Sequence, residues 1–307
     1  MKKKIAILGA TSHIAKGLIC SFNKSNTHKL FLFARSPARL KEFLNESGLK
    51  KGVVIGEFKG FPSYKYDVVI NCVGAGTPNE FKNDISSIFR LTEDFDNIVI
   101  SYLDKFPRAL YINFSSGAVY GKAFSKAARE GSICKLEVNN LKMQDCYSIA
   151  KINAEAKHRV RRDLNIVDIR IFSYFSRFID LDSGYFLADV IKSIKEGKDL
   201  LTDSCDFIRD YIGKDDLFNL IRLIISRAPF NGFLDAYSKS PVSKFKLLEF
   251  FTKKYGLIYA IKDNIDFNCP TGKKNVYSSK FHAAAKIGYK PKFSSFETVK
   301  IESGFML

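Results

Sequence analysis

The sequence contains no apolar run that approaches the ~20 residues needed to cross a membrane as a helix. Its six cysteines include no Cys-x-x-Cys pair and its four histidines are scattered, so it offers no metal-binding framework. It also lacks internal repeats and segments of low complexity. From these absences we expect a reduced, cytoplasmic protein that does not enter a membrane and holds no metal.

The charge is strongly positive, because 49 lysines and arginines stand against 32 acidic residues and give a net charge of +17. A balance of this sign can indicate a nucleic-acid partner. The lysines are spread along the whole chain and form no basic tail, however, so a lysine-rich surface is the simpler interpretation. The same positive field would attract anionic small molecules such as dinucleotides.

Short apolar segments alternate with helical patterns through the first half of the chain. This alternation predicts an α/β fold with a doubly wound, parallel Rossmann sheet, whose ligands bind at the carboxyl ends of the strands. We place the dinucleotide-binding domain at residues 1–172, with a returning segment near 205–237, and a small C-terminal substrate-binding lobe mainly at residues 173–307. The predicted strands cover residues 4–8, 30–34, 53–55, 67–73, 109–114 and 166–170.

The first predicted strand ends in a turn of small residues that leads into a helix. Such a turn presents backbone N–H groups and a helix N-terminus to a pyrophosphate. Only Gly9 of the usual three glycines is present, because Ser12 and Ala15 hold the other two positions. An ordinary strand–helix turn is the alternative. The residues assigned here to cofactor binding are Gly9, Thr11, Ser12, His13 and Ile14.

Two further strand ends bear on the cofactor. The second strand ends at Arg35 and Ser36, where an NAD enzyme usually has an acidic residue for the ribose 2′-hydroxyl. A guanidinium and a hydroxyl suit a 2′-phosphate instead, so we expect NADP, with NAD as the alternative. Arg35 could equally be a solvated arginine at a helix start. At the fourth strand end, the small residues of Val73-Gly74-Ala75 would let a dinucleotide lie across the sheet edge.

Tyr147 and Lys151 stand four residues apart and would share one face of a helix. A free tyrosine has a pKa near ~10, too high for acid–base catalysis at neutral pH, and a neighbouring ammonium lowers it. The pair is therefore a candidate proton-transfer unit. An exposed helix with an unremarkable tyrosine and lysine is the alternative for this stretch by itself.

Taken together, these stretches resemble the extended short-chain dehydrogenase/reductase family, also called the NAD-dependent epimerase/dehydratase family, and within it the enzymes that modify nucleotide sugars. The resemblance covers nearly the whole chain. Its matching pieces are residues 9–15, Ser-Ser-Gly-Ala-Val-Tyr-Gly at 115–121, Tyr147-x-x-x-Lys151-x-x-x-Glu155, Arg170, Arg-Asp-Tyr-Ile at 209–212 and the closing segment 279–291.

The resemblance implies a role for each residue of a reaction centre. Tyr147 would be the acid–base group at a sugar hydroxyl or ketone, and Lys151 would hold the nicotinamide ribose and assist Tyr147. Ser116, three residues before Val119, would hydrogen-bond the same sugar oxygen, with Ser115 as the fallback. A hydride would pass between the nicotinamide and a sugar carbon.

The resemblance also implies substrate contacts further along the chain. Arg209 matches the arginine that meets the diphosphate of a nucleotide sugar in many members, with a surface arginine beside a strand as the alternative. Phe175 opens the segment that replaces the family's usual Gly-Pro-Arg, and we assign it to substrate binding. Members often dimerise through the helices that include the Tyr-x-x-x-Lys segment, so the resemblance allows a homodimer.

One departure from the family's pattern argues against dehydratase activity. Its dehydratases carry an Asp-Glu pair directly after the catalytic hydroxyl residue, and this chain has Gly117 and Ala118 there. We therefore expect an NADPH-dependent reductase of a keto-sugar nucleotide, which would make a deoxysugar nucleotide. The first alternative is a nucleotide-sugar epimerase that recycles a tightly bound NAD(P). The second is a non-catalytic NADP- or RNA-binding protein on the same fold.

Overall fold

The computed structural model of the chain is built around parallel β-strands, and it describes residues 2–49, 52–74, 77, 87–121, 124–227, 229–262 and 274–307. The strands are β1 (Lys3–Leu8), β2 (His28–Phe33), β3 (Val53–Gly56), β4 (Val68–Asn71), β5 (Leu110–Ser116), β6 (Asn165–Ile171), β7 (Ser173–Tyr174), β8 (Leu200–Thr202), β9 (Ile208–Arg209), β10 (Tyr211–Ile212), β11 (Gly232–Ala236), β12 (Val242–Ser243), β13 (Tyr259–Ile261) and β14 (Val276–Tyr277).

Helices connect these strands, and several begin at a serine whose hydroxyl accepts a hydrogen bond from the N–H three residues further on. The helices are α1 (His13–Ser25), α2 (Pro37–Glu46), α3 (Ser87–Lys105), α4 (Met143–Val160), α5 (Phe186–Glu196), α6 (Lys214–Arg227), α7 (Lys244–Tyr255) and α8 (Ser295–Ser303).

Seven of the strands form one parallel sheet in the order β11-β6-β5-β4-β1-β2-β3. Helices cover both faces, so alternate residues of a strand enter different cores: Ile5 and Ile7 of β1 pack in one cluster, and Ala6 and Leu8 in the other. This arrangement confirms the predicted α/β class and the doubly wound parallel sheet. The apolar spacing of the sequence predicts a helix at about residues 80–105, and the structure shows α3 over Ser87–Lys105, while residues 80–86 lie outside the described residues.

After β6 the chain builds a second, smaller core and also returns to the large sheet. In the return, α6 packs against α1, with the rings of Phe218 and Phe22 meeting edge to face at 5.0 Å, and β11 pairs in parallel with β6. The smaller core lies among α5, α7 and α8 beside the short strands. Its fully buried members include Phe175, Leu187, Val190, Ile191, Leu247, Leu248 and Phe251.

A buried charged cluster fixes α4 to its neighbours. His158 of α4 is 0% exposed, with Nε2 2.7 Å from Asp96 of α3 and Nδ1 2.9 Å from Asp168 of β6. Burial alone would lower the pKa of this imidazole, but the hydrogen bonds to Asp168 and Asp96 raise its pKa to about 9. His158 is therefore a cation at neutral pH and donates to both carboxylates.

This cluster predicts how stability depends on pH. His158 has a raised pKa when folded and about 6.5 when unfolded, so its contribution is complete below pH ~6.5 and is lost as the pH rises through about 9. Replacing it with Gln removes the cation that bridges the two buried carboxylates and leaves Asp96 with Lys157 at 2.9 Å and Asp168 with Arg159 at 2.6 Å, so it should cost about 3 kcal/mol. Urea unfolding of the parent and His158→Gln between pH 6.5 and 9.5 measures both effects.

The parent should lose free energy of unfolding across this interval more steeply than His158→Gln. An exposed histidine provides the control, because His282→Gln should keep the slope of the parent. Equal slopes for the parent and His158→Gln would contradict a charged His158.

Candidate active site

The carboxyl ends of the strands in the large sheet bring together the residues predicted from the sequence. Gly9 follows β1, Arg35 lies just beyond β2, Val73 and Gly74 follow β4, and Ser116 ends β5. Because these strands are parallel and adjacent, their ends lie along one edge. Ala75, also predicted to bind the cofactor, lies outside the described residues.

The turn after β1 approaches the end of β4 so closely that it requires glycine. Gly9 has a φ of +70°, and a Cβ placed on it would lie 2.9 Å from the backbone of Cys72 and Val73. Ser12 then caps α1: its N–H donates to the Gly9 carbonyl at 2.9 Å, and its hydroxyl accepts from the Ala15 N–H at 3.4 Å. The N-terminus of a 13-residue helix thus opens at the ligand edge and suits a pyrophosphate.

The side chains of this turn are partly buried, which leaves the backbone as its main ligand surface. Thr11 and Ile14 are half-buried. His13 turns toward the chain after β7, where its Nε2 lies 2.9 Å from the Ser176 hydroxyl and its ring meets Tyr174 edge to face. Burial lowers the pKa of His13 to about 4, so the ring is neutral. His13 therefore links the predicted cofactor loop to the segment that leads into the lobe.

The end of β2 presents basic side chains to solvent. Ser36 caps α2 by accepting the Arg39 N–H at 3.4 Å, and Arg35 and Arg39 are both exposed. Both interpretations of Arg35, a contact with a 2′-phosphate and a solvated arginine, predict this exposure. The preference for NADP thus still depends on residue type.

The α4 helix and the end of β5 bring the three predicted catalytic residues into one region. Lys151 is only 7% exposed, and its Nζ donates to the Phe114 carbonyl of β5 at 2.9 Å. The same nitrogen lies 5.8 Å from the centre of the Tyr147 ring. One turn before Lys151, the Ser148 hydroxyl donates to the Ala118 carbonyl at 2.6 Å. These bonds hold α4 against the segment that follows Ser116.

The two adjacent serines at the end of β5 have different surroundings. The Ser115 hydroxyl donates to Glu155 Oε1 at 2.5 Å. The Ser116 hydroxyl accepts the Ala118 N–H at 3.2 Å and lies 2.9 Å from the hydroxyl of Tyr277. Ser115 is thus engaged with a buried carboxylate and Ser116 with a phenol, and the choice of Ser116 as the serine of the site stays a prediction.

Glu155 belongs to a polar network that sequence analysis recovered only in part. Arg170 donates to Glu155 through Nε at 2.9 Å and to the Tyr120 hydroxyl through Nη1 at 2.9 Å. Tyr120 in turn donates to both carboxylate oxygens of Asp235 at 3.1 Å, and Ser279 donates to the same carboxylate. Asp235 was missed, and its one signal is a lone acid in the apolar strand β11.

The Asp235 carboxyl of β11 is fully buried, and its residue pairs with Arg170 of β6 in the large sheet. Burial raises its pKa to about 6, although Ser279, Arg170 and Tyr120 act in the opposite direction. Ser279 belongs to the closing segment of the chain, so this carboxylate joins that segment to the Ser-Ser-Gly-Ala-Val-Tyr-Gly loop. The network therefore holds in place the segment at residues 117–121, which directly follows Ser116.

The two predicted substrate contacts in the lobe are placed differently. Arg209 of β9 lies over the Phe207 ring at 4.3 Å, and its Nη1 donates to the carbonyls of Ile208 at 3.0 Å and Lys274 at 2.7 Å. Phe175 is 0% exposed and packs inside the smaller core. Its apolar ring fills that core, so contact with a substrate at Phe175 would require surrounding side chains to move.

The described part of the chain contains no group of three or more His, Cys, Asp or Glu residues placed to hold a metal ion. In that same part, no helix is both long enough and apolar enough to cross a bilayer.

The fold and the strand-end geometry define a dinucleotide-binding Rossmann protein with a small lobe beyond the sheet. The chain belongs to the NAD dependent epimerase/dehydratase family, whose family model matches residues 5–232. A comparison with curated protein sequences finds no match.

Solved structures with the same fold align over nearly the whole chain. UDP-glucuronic acid 4-epimerase from Bacillus cereus, in complex with UDP-glucuronic acid and NAD, has a TM-score of 0.80 at 17% identity, covering 99% of this chain and 98% of that one. UDP-N-acetylglucosamine 4-epimerase from Methanobrevibacter ruminantium, in complex with UDP-N-acetylmuramic acid, has a TM-score of 0.81 at 16% identity, with the same coverage. The dTDP-glucose 4,6-dehydratase from Streptomyces venezuelae, with NAD bound, has a TM-score of 0.80 at 11% identity, covering 98% and 96%.

The turn at Gly9 gives a prediction with a matched control. Gly9→Ala combines a left-handed backbone with a clash against β4, and it should lower the free energy of unfolding by about 3 kcal/mol and weaken NAD binding. Gly48→Ala has a similar φ of +68° but meets nothing within 4 Å, so it should cost only about 1–2 kcal/mol and leave binding unchanged. Urea unfolding and calorimetric titration with NAD measure both. Equal effects of the two substitutions would show that the close approach to β4 does not matter.

Proposed function

We propose that this protein is an NAD-dependent epimerase of a nucleotide sugar. The observation that carries the proposal is the convergence of Tyr147, Lys151 and Ser116 at the carboxyl edge of the sheet, directly beside the end of β5. Family membership and the two 4-epimerases of the same fold support this function over the reductase expected from the sequence.

The three side chains have complementary tasks. NAD, when bound, supplies an acceptor that takes a hydride from a sugar carbon and later returns it. As the C–H bond breaks, Tyr147 takes the proton from the hydroxyl on that carbon, and Ser116 donates a hydrogen bond to the same oxygen. If the keto sugar turned its other face to the cofactor, the hydride would return to the carbonyl carbon and Tyr147 would return the proton to the oxygen. The carbon would then be inverted with no external oxidant or reductant consumed.

Lys151 is already held where this chemistry needs it. Its ammonium has three N–H donors, and the Phe114 carbonyl accepts one of them at 2.9 Å. Its remaining N–H donors, beside the Tyr147 ring, would bind a ribose hydroxyl of NAD. Anchoring to the backbone of β5 ties this geometry to the same strand that ends at Ser116.

Arg209 is the proposed contact for the diphosphate of the substrate. Its guanidinium is stacked on Phe207 and bonded to two backbone carbonyls, so it is fixed in orientation. A planar guanidinium suits phosphate oxygens because it offers several parallel N–H donors. Its place on β9 puts it in the lobe, away from the cofactor loop.

Elimination of water is not part of the proposal. The two positions after Ser116 carry no carboxylate, and a Cβ added at Gly117 would lie 2.5 Å from the ring of Phe172. The loop therefore has neither the acid–base pair that the family resemblance requires of a dehydratase nor space for it without repacking.

A second candidate is the NADPH-dependent reductase of a keto-sugar nucleotide. Arg35 favours it, since an exposed guanidinium at the end of β2 suits a 2′-phosphate better than the ribose hydroxyl of NAD. The same Ser116, Tyr147 and Lys151 would serve either reaction, so the cofactor distinguishes the two candidates.

The cofactor that the purified protein retains separates these candidates. An epimerase that recycles its cofactor should release close to one NAD per chain when it is denatured, identified by mass and amount. A reductase should be recovered largely empty and then take up NADPH in preference to NADH. An empty protein with that preference would replace the epimerase proposal with the reductase.

Removal of one hydroxyl tests the catalytic assignment. Tyr147→Phe keeps the ring but removes the proton-transfer group, so turnover of UDP-glucose, UDP-glucuronic acid or UDP-N-acetylglucosamine should fall by about 10²–10⁴-fold, with NAD affinity nearly unchanged. Tyr64→Phe, at an exposed tyrosine far along the chain, is the control and should retain activity. Parallel loss of turnover and NAD binding in Tyr147→Phe would instead show a structural role.

A further inference from the structure

A second tyrosine reaches the reaction centre from the far end of the chain. The hydroxyl of Tyr277, in β14, lies 2.9 Å from the hydroxyl of Ser116, and the two residues are 161 positions apart. Both are buried, with Tyr277 only 9% exposed. The contact therefore joins the closing segment to the serine proposed to hold the sugar oxygen.

The hydrogen-bonding capacity of Ser116 gives this contact a direction. A serine hydroxyl has one hydrogen to donate and two lone pairs that accept. The Ala118 N–H can only donate, and it occupies one lone pair at 3.2 Å. If Tyr277 donates to the other, the single hydrogen of Ser116 is left for the sugar oxygen. If Ser116 donated to Tyr277 instead, that hydrogen would be turned away from the substrate.

The chemistry of the Tyr277 side chain favours it as the donor. A phenol is a better hydrogen-bond donor than an aliphatic alcohol, because its anion is more stable. The ammonium of Lys274 lies 4.3 Å from the centre of the Tyr277 ring, a cation–π contact that helps to hold the ring in place. The stronger donor character of the phenol favours donation from Tyr277 to Ser116.

The Tyr277 ring is also held in one place. It meets Phe124 edge to face at 5.0 Å and Phe172 at 5.1 Å. Its backbone carbonyl accepts the Asp210 N–H at 3.2 Å, and β14 pairs in parallel with β9, opposite Arg209. The ring contacts and the strand pairing therefore hold the Tyr277 hydroxyl in position next to Ser116.

We propose that Tyr277 is a positioning residue, which donates to the Ser116 hydroxyl and so directs the serine's hydrogen to the reacting oxygen of the sugar. The inference rests on the proposed nucleotide-sugar chemistry and adds a residue to it. Tyr277 of β14 pairs with Arg209 of β9, the proposed diphosphate contact. The residue that orients Ser116 therefore lies beside the residue proposed to bind the diphosphate.

The test is a double-mutant cycle on turnover, with UDP-glucose, UDP-glucuronic acid and UDP-N-acetylglucosamine as the probes. Tyr277→Phe keeps the packed ring and removes only the hydroxyl, so kcat should fall about tenfold while KM changes by less than about twofold. Because Tyr277 acts through Ser116, the same substitution in a Ser116→Ala background should change kcat by less than about twofold.

A buried tyrosine away from the site provides the matched control. Tyr289 is almost fully buried, and its hydroxyl donates to the Tyr237 carbonyl at 2.8 Å. Tyr289→Phe should lower the melting temperature without changing kcat. It shows what the loss of a buried phenol does when no catalytic group is involved.

The outcomes separate this inference from the proposed function. An equal loss of kcat in both backgrounds, or no loss in either, would overturn the positioning role while leaving the epimerase intact. A parent protein that neither binds any of the three probes by calorimetry nor converts them would overturn the proposed function and this inference with it. A parent that binds them without converting them would overturn the epimerase, and with it the role of Tyr277 at the reacting oxygen.

Discussion

The inner face of α4 is polar, and the structure of the site depends on satisfying it. Ser148, Lys151, Glu155 and His158 recur at helical spacing along that face and are all buried. Ser148 bonds to the Ala118 carbonyl, and Lys151 bonds to the Phe114 carbonyl of β5. Glu155 bonds to Arg170 and Ser115, and His158 bonds to Asp96 and Asp168. A buried polar group without a hydrogen-bond partner lowers the free energy of unfolding. Only one position of α4 on the sheet therefore satisfies all four side chains. Tyr147 is positioned as a consequence.

The large sheet was predictable because buried parallel strands appear as continuous apolar runs that end in small residues. The proximity of Ser116, Tyr147 and Lys151 could be expected for another reason, because they lie within two short motifs on packed elements, and their catalytic roles stay predictions. The choice between NADP and NAD was harder, because it depended on Arg35, whose exposed side chain fits more than one role.

What sequence reasoning missed are contacts between residues that are far apart in the chain. His158 meets Asp96 across 62 positions, and Ser116 meets Tyr277 across 161, so no local pattern marks either pair. Phe175 is a different case. It opens the segment that departs from the family's usual Gly-Pro-Arg, and its contact with a substrate stays a prediction, while its apolar ring lies in the core of the lobe.

The contact between Ser116 and Tyr277 also has a meaning for biosynthesis. A ribosome makes the turn at Gly9, the strand that ends at Ser116 and the helix α4 before it makes β14. Until residues 276–280 emerge, Ser116 lacks its phenol partner and the Asp235 carboxylate lacks Ser279. All seven strands of the large sheet are made by then, so the sheet can form while the segment at Ser116 still lacks these hydrogen bonds.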